Sequence, residues 1–176
     1  MIIIEGPDQI GKTTAARTLA HMMAEHMGSQ DAMRFYRHMG KPAPTFDHTL
    51  GYMNPQAVVQ DRFHLGSLVY GLMLGRGEYP THQQMLKVQR WLRWTGCLTV
   101  IMYGEAEWFR EKLTARDELY SREQIIQSNQ CFSLLSEIRN HGEPFADVTL
   151  NVTRDGYPTG DMLNAWFAQW KASWCG

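Results

Sequence analysis

The feature that most constrains this chain is a short apolar run closed by a glycine-framed turn, "MIIIEGPDQIGKTT" at residues 1–14. Gly6-Pro7-Asp8-Gln9-Ile10-Gly11-Lys12-Thr13 fits G-x-x-x-x-G-K-[ST] without mismatch. The pattern also stands where its physics requires, after a strand and before a helix. Its glycines let successive backbone N–H groups, through Gln9 and Ile10, converge on an anion. A helix starting near Lys12 adds its positive end. Lys12 is then placed to reach the β- and γ-phosphates of a nucleotide, and the Thr13 hydroxyl to hold Mg²⁺. Thr14 either touches the α-phosphate or only helps the helix start. The turn therefore predicts a bound nucleotide with Mg²⁺ as cofactor, the nucleotide being ATP as phosphoryl donor if the chain is a kinase.

The remaining pattern alternates strand with helix. Residues 12–27 carry Ala16, Leu19, Ala20, Met23 and Met27 at helical spacing. Strands are expected at 33–38, 57–61, 97–104 and 146–152, and helices at 65–74, 82–94, 105–116, 122–140 and 160–174. That order implies an α/β protein of the P-loop NTPase type, with about five parallel strands, helices on both faces and a helical lid over about 110–124. Ligands on such sheets sit outside the carboxyl ends of the strands. The chain of 176 residues suits one domain, 1–176. "RDGYPTG" at 154–160 reads as a turn and helix start.

A phosphate loop fixes a nucleotide and leaves the reaction open. A GTPase needs an N-K-x-D base reader and a D-x-x-G switch. The chain lacks the first, and "DRFH" (61–64) stands at the switch position. A small-molecule kinase is the leading class. In "DRFHLGSLVYG" (61–71) an arginine at the sheet's carboxyl edge suits capture of a second phosphate by a planar fork of donors. Its neighbour Asp61 suits alignment of a substrate group or a Mg²⁺-bound water. Lys+Arg is 17 against Asp+Glu 18, so no global charge pulls the chain toward nucleic acid or membrane. The cysteines, Cys97, Cys131 and Cys175, form no C-x-x-C pair, so zinc and redox roles are not expected and a reduced cytoplasmic setting fits. Neither a membrane span nor a signal peptide is expected.

"EGPDQIGKTT" together with "DRFHLGSLVYG" resembles the thymidylate kinases, especially the short bacteriophage-type deoxynucleoside monophosphate kinases. "ARDELYSREQIIQSNQCFSLL" (115–135) is similar to their lid and the helix after it. The resemblance implies transfer of a phosphoryl group from ATP to a deoxypyrimidine monophosphate such as dTMP. It implies that Asp8 contacts the acceptor's 3′-hydroxyl near Mg²⁺ and that Arg62, beside Asp61, holds the acceptor's phosphate. Ser67 would meet the pyrimidine, and Tyr70 the sugar, where it disfavours a 2′-hydroxyl. Gln9 stands where one branch of the family has a loop arginine, which moves the catalytic charge to the lid. There Arg116 is the leading candidate, with Arg110 and Arg122 as alternatives. Asp117 follows Arg116 where the family has glycine.

Arg37, at the end of the second strand, either lines the acceptor cleft or is a solvated arginine. Phe46 and Tyr52 are candidates to stack on the acceptor base. Gly66, where serine is common, would enlarge the acceptor site. With Trp91, Trp94 and Trp108 it is compatible with an alternative, a kinase for the hydroxymethyl group of a modified pyrimidine, free or within DNA. A third reading is a nucleotide sensor without turnover. Family members are often dimers, and "LGSLVYGLML" (65–74) is apolar enough for that or for a core.

Overall fold

The parallel sheet follows from β-branched and aliphatic runs too short to span more than one layer. The structure, a computed structural model, describes residues 1–28, 34–37, 58–75, 82–113, 120–140 and 142–174. Strands β1 (Ile2–Glu5), β2 (Arg34–Arg37), β3 (Val58–Asp61), β4 (Leu98–Tyr103) and β7 (Val148–Asn151) form one sheet in the order β2-β3-β1-β4-β7, every pairing parallel. Helices α1 (Lys12–Met27), α2 (His64–Met73), α3 (His82–Trp94), α4 (Ala106–Lys112), α5 (Arg122–Glu137) and α7 (Gly160–Trp174) surround it. A four-residue helix α6 (Val152–Asp155) and a two-stranded antiparallel pair, β5 (Arg139–Asn140) with β6 (Glu143–Pro144), complete the described residues.

Strand alternation splits the core between the two faces of the sheet. Ile2 and Ile4 pack with Leu19 and Met23 of α1 and with Leu163, Trp166 and Trp170 of α7. Ile3 points the other way and joins Val88 and Leu92 of α3, Phe63 and Cys97. Each fully buried isoleucine contributes roughly 2–3 kcal/mol by its removal from water. Helix α2 buries Leu65 and Val69 and leaves Leu72 exposed.

The observed elements differ from expectation at their ends. Met27 lies outside the buried stripe of α1, because Gly28 stops the helix in a left-handed conformation and the last turn is solvated. Helix α5 stops at Glu137, not at residue 140, because Ile138 turns extended and the chain doubles back near Gly142 to pair β5 with β6. The first two residues of the turn expected at 154–160 belong instead to the short helix α6, whose N-cap Asn151 accepts from the N–H groups of Thr153 and Arg154.

This topology sets out the functional edge. The register aligns Ile4 with Asp61, Glu5 with Ile101, Arg37 with Asp61 and Tyr103 with Asn151, so those carboxyl ends share one edge. The chain leaves central β1 toward β2 on one side and leaves β4 toward β7 on the other. In open α/β sheets the loops diverge at such a reversal, and ligands bind between them.

A candidate active site at the carboxyl edge of the sheet

The loop between β1 and α1 is built for close backbone approach. Gly6 has φ 150, and a Cβ there would lie 2.4 Å from the carbonyl oxygen of Met102, so no side chain fits. Gln9, at φ 63, takes the left-handed region without being glycine. Ile10 is wholly buried and anchors the loop in the core. Gly11 is the N-cap of α1, and no side chain caps this helix. Helix α5, by contrast, carries a full capping box in which Ser121 and Gln124 exchange hydrogen bonds. The first turn of α1 thus presents backbone donors at its positive end without a side-chain acceptor.

Lys12 is buried at the mouth of this turn, and its ammonium donates to the carbonyl of Pro7, curling the loop around the charge. Thr13 donates its hydroxyl to Asp61 Oδ2 at 2.5 Å. Thr14 is exposed, and its carbonyl accepts from Thr18 Oγ1. The second oxygen of Asp61, Oδ1, is buried and has no hydrogen-bond partner among the described residues. A hydroxyl and a carboxylate with one unsatisfied oxygen form a hard-oxygen donor set that suits Mg²⁺.

Arg62 turns toward the same loop. Its guanidinium forms an ion pair with Asp8, and both side chains are nearly buried. It also lies over the ring of Tyr70, 5.0 Å from the centroid. The Tyr70 hydroxyl donates to Asp8 Oδ2 at 3.4 Å and lies 3.5 Å from Ser128 Oγ. Burial raises the phenol's pKa against the nearby Arg62 charge, so Tyr70 stays protonated. Tyr120 stacks on Tyr70, with ring centroids 4.8 Å apart. Ser67 sits one turn into α2 and donates its hydroxyl to the carbonyl of Phe63 at 3.0 Å. Arg37 pairs in backbone register with Asp61, which puts it at the same edge.

Beneath these groups lies a residue that the sequence reading passed over. Glu5 is completely buried, and its carboxylate accepts from the backbone N–H groups of Phe63 at 2.9 Å, Leu65 at 2.9 Å and Gly66 at 3.0 Å. Phe63, the N-cap of α2, has no acceptor in its own side chain, so β1 supplies the cap. Burial pushes the Glu5 carboxyl up to about 7, against the opposing pull of those backbone bonds and Lys12. His64 Nδ1 lies 3.8 Å from Glu5 Oε1, an ion-pair distance. Burial nevertheless holds the imidazole down at about 3, so at neutral pH His64 is uncharged and the contact is not an ion pair.

Gly66 corrects one expectation. Its missing side chain does not open room for a larger base. A Cβ there would stand 3.0 Å from Glu5 Oε2 and 3.4 Å from Arg62 Cβ, so the space is already filled by the capping carboxylate. Nor do the tryptophans gather at Arg62. Trp91 packs on the α3 side of the sheet, Trp94 is 84% exposed, and Trp108 lies beside Gly104 and Tyr157. Tyr157, from the 154–160 loop, packs against the phosphate loop, where a Gly11 Cβ would be 3.1 Å from its ring.

Arg116, Phe46 and Tyr52 lie outside the described residues. Of the alternative lid arginines, Arg110 is exposed at the end of α4. Arg122, also exposed, donates to the Arg110 carbonyl at 2.6 Å, fastening the start of α5 to the end of α4. Glu5, Tyr120 and Ser128 carried no local signal. Each joins the site through contacts with residues far away in the chain.

A family model described as RNA helicase matches residues 2–65, which contain β1, the phosphate loop and the β3 carboxylate. No curated protein sequence matches the chain. Among solved structures, the chain is similar to YorR protein from Bacillus subtilis, crystallised in complex with phosphorylated GDP. The match has a TM-score of 0.62 at 17% identity and covers 85% of this chain and 84% of that one. The fold is that of the P-loop NTPases. No helix among the described residues is long and apolar enough to cross a membrane.

Proposed function

We propose that the protein is a phosphotransferase that moves the γ-phosphoryl group of ATP to a nucleoside monophosphate, with a deoxypyrimidine monophosphate such as dTMP as acceptor. The observation that carries this reading is the direction of Arg62. Its guanidinium faces the phosphate loop through Asp8, across from the buried Lys12. Two cationic groups on one crevice suit two polyanions brought end to end. A nucleotide-binding site alone needs only the first.

In this reading the backbone of residues 6–14 and Lys12 cradle the donor phosphates. Thr13 and Asp61 would hold Mg²⁺, which supplies charge neutralisation between the β- and γ-phosphates. Arg62 takes the acceptor's phosphate as a fork of donors, with Arg37 at the same edge. Asp8 orients the acceptor sugar, Tyr70 walls it, and Ser67 faces its base. Arg116 closes with the lid and stabilises the transferring group, and closure excludes water as a competing acceptor. The chemistry is positioning and electrostatics. Residues 1–176 act as one catalytic domain.

The helicase match supports nucleotide binding, since its segment holds elements that hydrolases and phosphotransferases share. The modified-pyrimidine alternative loses the support of Gly66 and keeps its place only as an arm of the test. ADP release from Mg·ATP is measured with dTMP, dCMP, dUMP, guanine monophosphates, 5-hydroxymethyl-dCMP, hydroxymethyl-bearing DNA and RNA as separate additions. GTP is tried as donor as well, because the structural neighbour was solved with a guanine nucleotide. The expected result is release that depends on a free pyrimidine monophosphate, lowered at least about 100-fold in Lys12→Ala and Arg62→Ala with the circular dichroism unchanged. Release stimulated only by RNA, or none with any acceptor, overturns the proposal.

A further inference from the structure

We propose that Glu5 is a positioning residue that fixes Arg62 relative to the phosphate loop and so sets the distance between the two anion sites. This inference rests on the functional reading above.

Glu5 is the last residue of β1, and Gly6, the first residue of the phosphate loop, is bonded to it. Through space its carboxylate takes the N–H groups of Phe63, Leu65 and Gly66. Arg62, directly before them, is held from the strand side as well, its own N–H donating to the Ile4 carbonyl at 2.8 Å. Two adjacent residues of β1 therefore grip both flanks of Arg62. The grip is needed because Arg62 sits at φ 72, a left-handed conformation that a residue with a Cβ leaves readily. If α2 lost its cap, Arg62 would relax toward ordinary backbone angles and its guanidinium would swing away from Asp8. Glu5 is not placed for proton transfer to a substrate, since both of its oxygens are spent on backbone donors in a fully buried position.

Glu5→Gln keeps an acceptor for Phe63 and Leu65 but sets a second donor against the Gly66 N–H. Gly66→Ala crowds the same oxygen from the helix side, with every charge kept. Both variants are compared with wild type in three measurements: Mg·ADP affinity by calorimetry, the steady-state split of acceptor KM and kcat, and the Arg62 Nε–H resonance in ¹⁵N NMR spectra. Mg·ADP affinity is expected to stay within about twofold, acceptor KM to rise about tenfold or more, a change worth about 1.4 kcal/mol, and the Arg62 resonance to move toward that of a free guanidinium. A purely structural role would lower melting temperature and active fraction and leave KM and the Arg62 resonance of the folded fraction alone. That result in either folded variant overturns the proposal. If the wild type phosphorylates no acceptor, the functional reading fails. The resonance still decides the role of Glu5, because it needs no turnover.

Discussion

At the scale of single residues, the site is governed by a few side chains whose charge state is set by burial. His64 and Glu5 are neighbours with opposite habits. His64 is held at about 3 against an ordinary 6.5, so the unfolded chain takes up its proton first and folded stability falls as pH drops below about 6.5. Glu5 is held at about 7 against an ordinary 4.5, so its contribution is fullest below about 4.5 and is lost as pH rises to about 7. Between those limits the two slopes oppose each other. Replacing His64 with Leu should unmask Glu5, giving a urea midpoint that declines steadily from pH 4.5 to 7. An unchanged profile would show that His64 does not titrate on unfolding. Residues of this kind mark what could be read in advance. The convergence of Lys12, Thr13, Asp61 and Arg62 on one edge was legible because their placement follows from spacing around a strand end. Glu5 was not, because its partners lie about sixty positions away and nothing local announces a buried carboxylate. Gly66 was misread for the same reason.

At the scale of elements, nearly every strand and helix was legible from apolar periodicity, and the boundaries were not. Ends are decided by caps and turns, which depend on one or two residues. Helix α5 shows this at both ends: the Ser121–Gln124 capping box starts it cleanly, whereas the extended Ile138 and the turn at Gly142 stop it short. Ser121→Ala should cost about 1 kcal/mol, measured by chemical denaturation. A loss below a few tenths would mean that the Arg122 bond to α4 already fixes that end. The start of α5 matters beyond stability. Tyr120, immediately before the cap, stacks on Tyr70, so the exit of the expected lid is joined to the residue under Arg62. On the proposed reading, Arg116→Ala should lower kcat more than it raises acceptor KM. A change confined to KM would move the transferring-group charge to another arginine.

At the scale of the molecule, the parallel five-stranded sheet was legible from the alternation of elements. Its order was not, since periodicity says nothing about which strands are neighbours. The order matters because it places β1 between β3 and β4, so Thr13 in the first turn of α1 meets Asp61 at the end of β3. Ligand binding should therefore stabilise the whole fold. Mg·ADP at about 100 times its Kd should add about 2.7 kcal/mol and raise Tm, and the gain should vanish with Lys12→Ala or on chelation of Mg²⁺. Equal stabilisation in the presence of a chelator would count against the proposed holding of Mg²⁺ by Asp61 and Thr13. The pairing of Arg62 with Asp8 has a last implication. Asp8 already supplies this arginine with a counter-anion, so on the proposed reading an acceptor phosphate enters by exchange instead of filling an empty socket. A singly charged ion such as chloride gains little by evicting a tethered carboxylate, whereas a dianion gains more. On the proposed reading, the crevice sorts its visitors by valence before it inspects their shape.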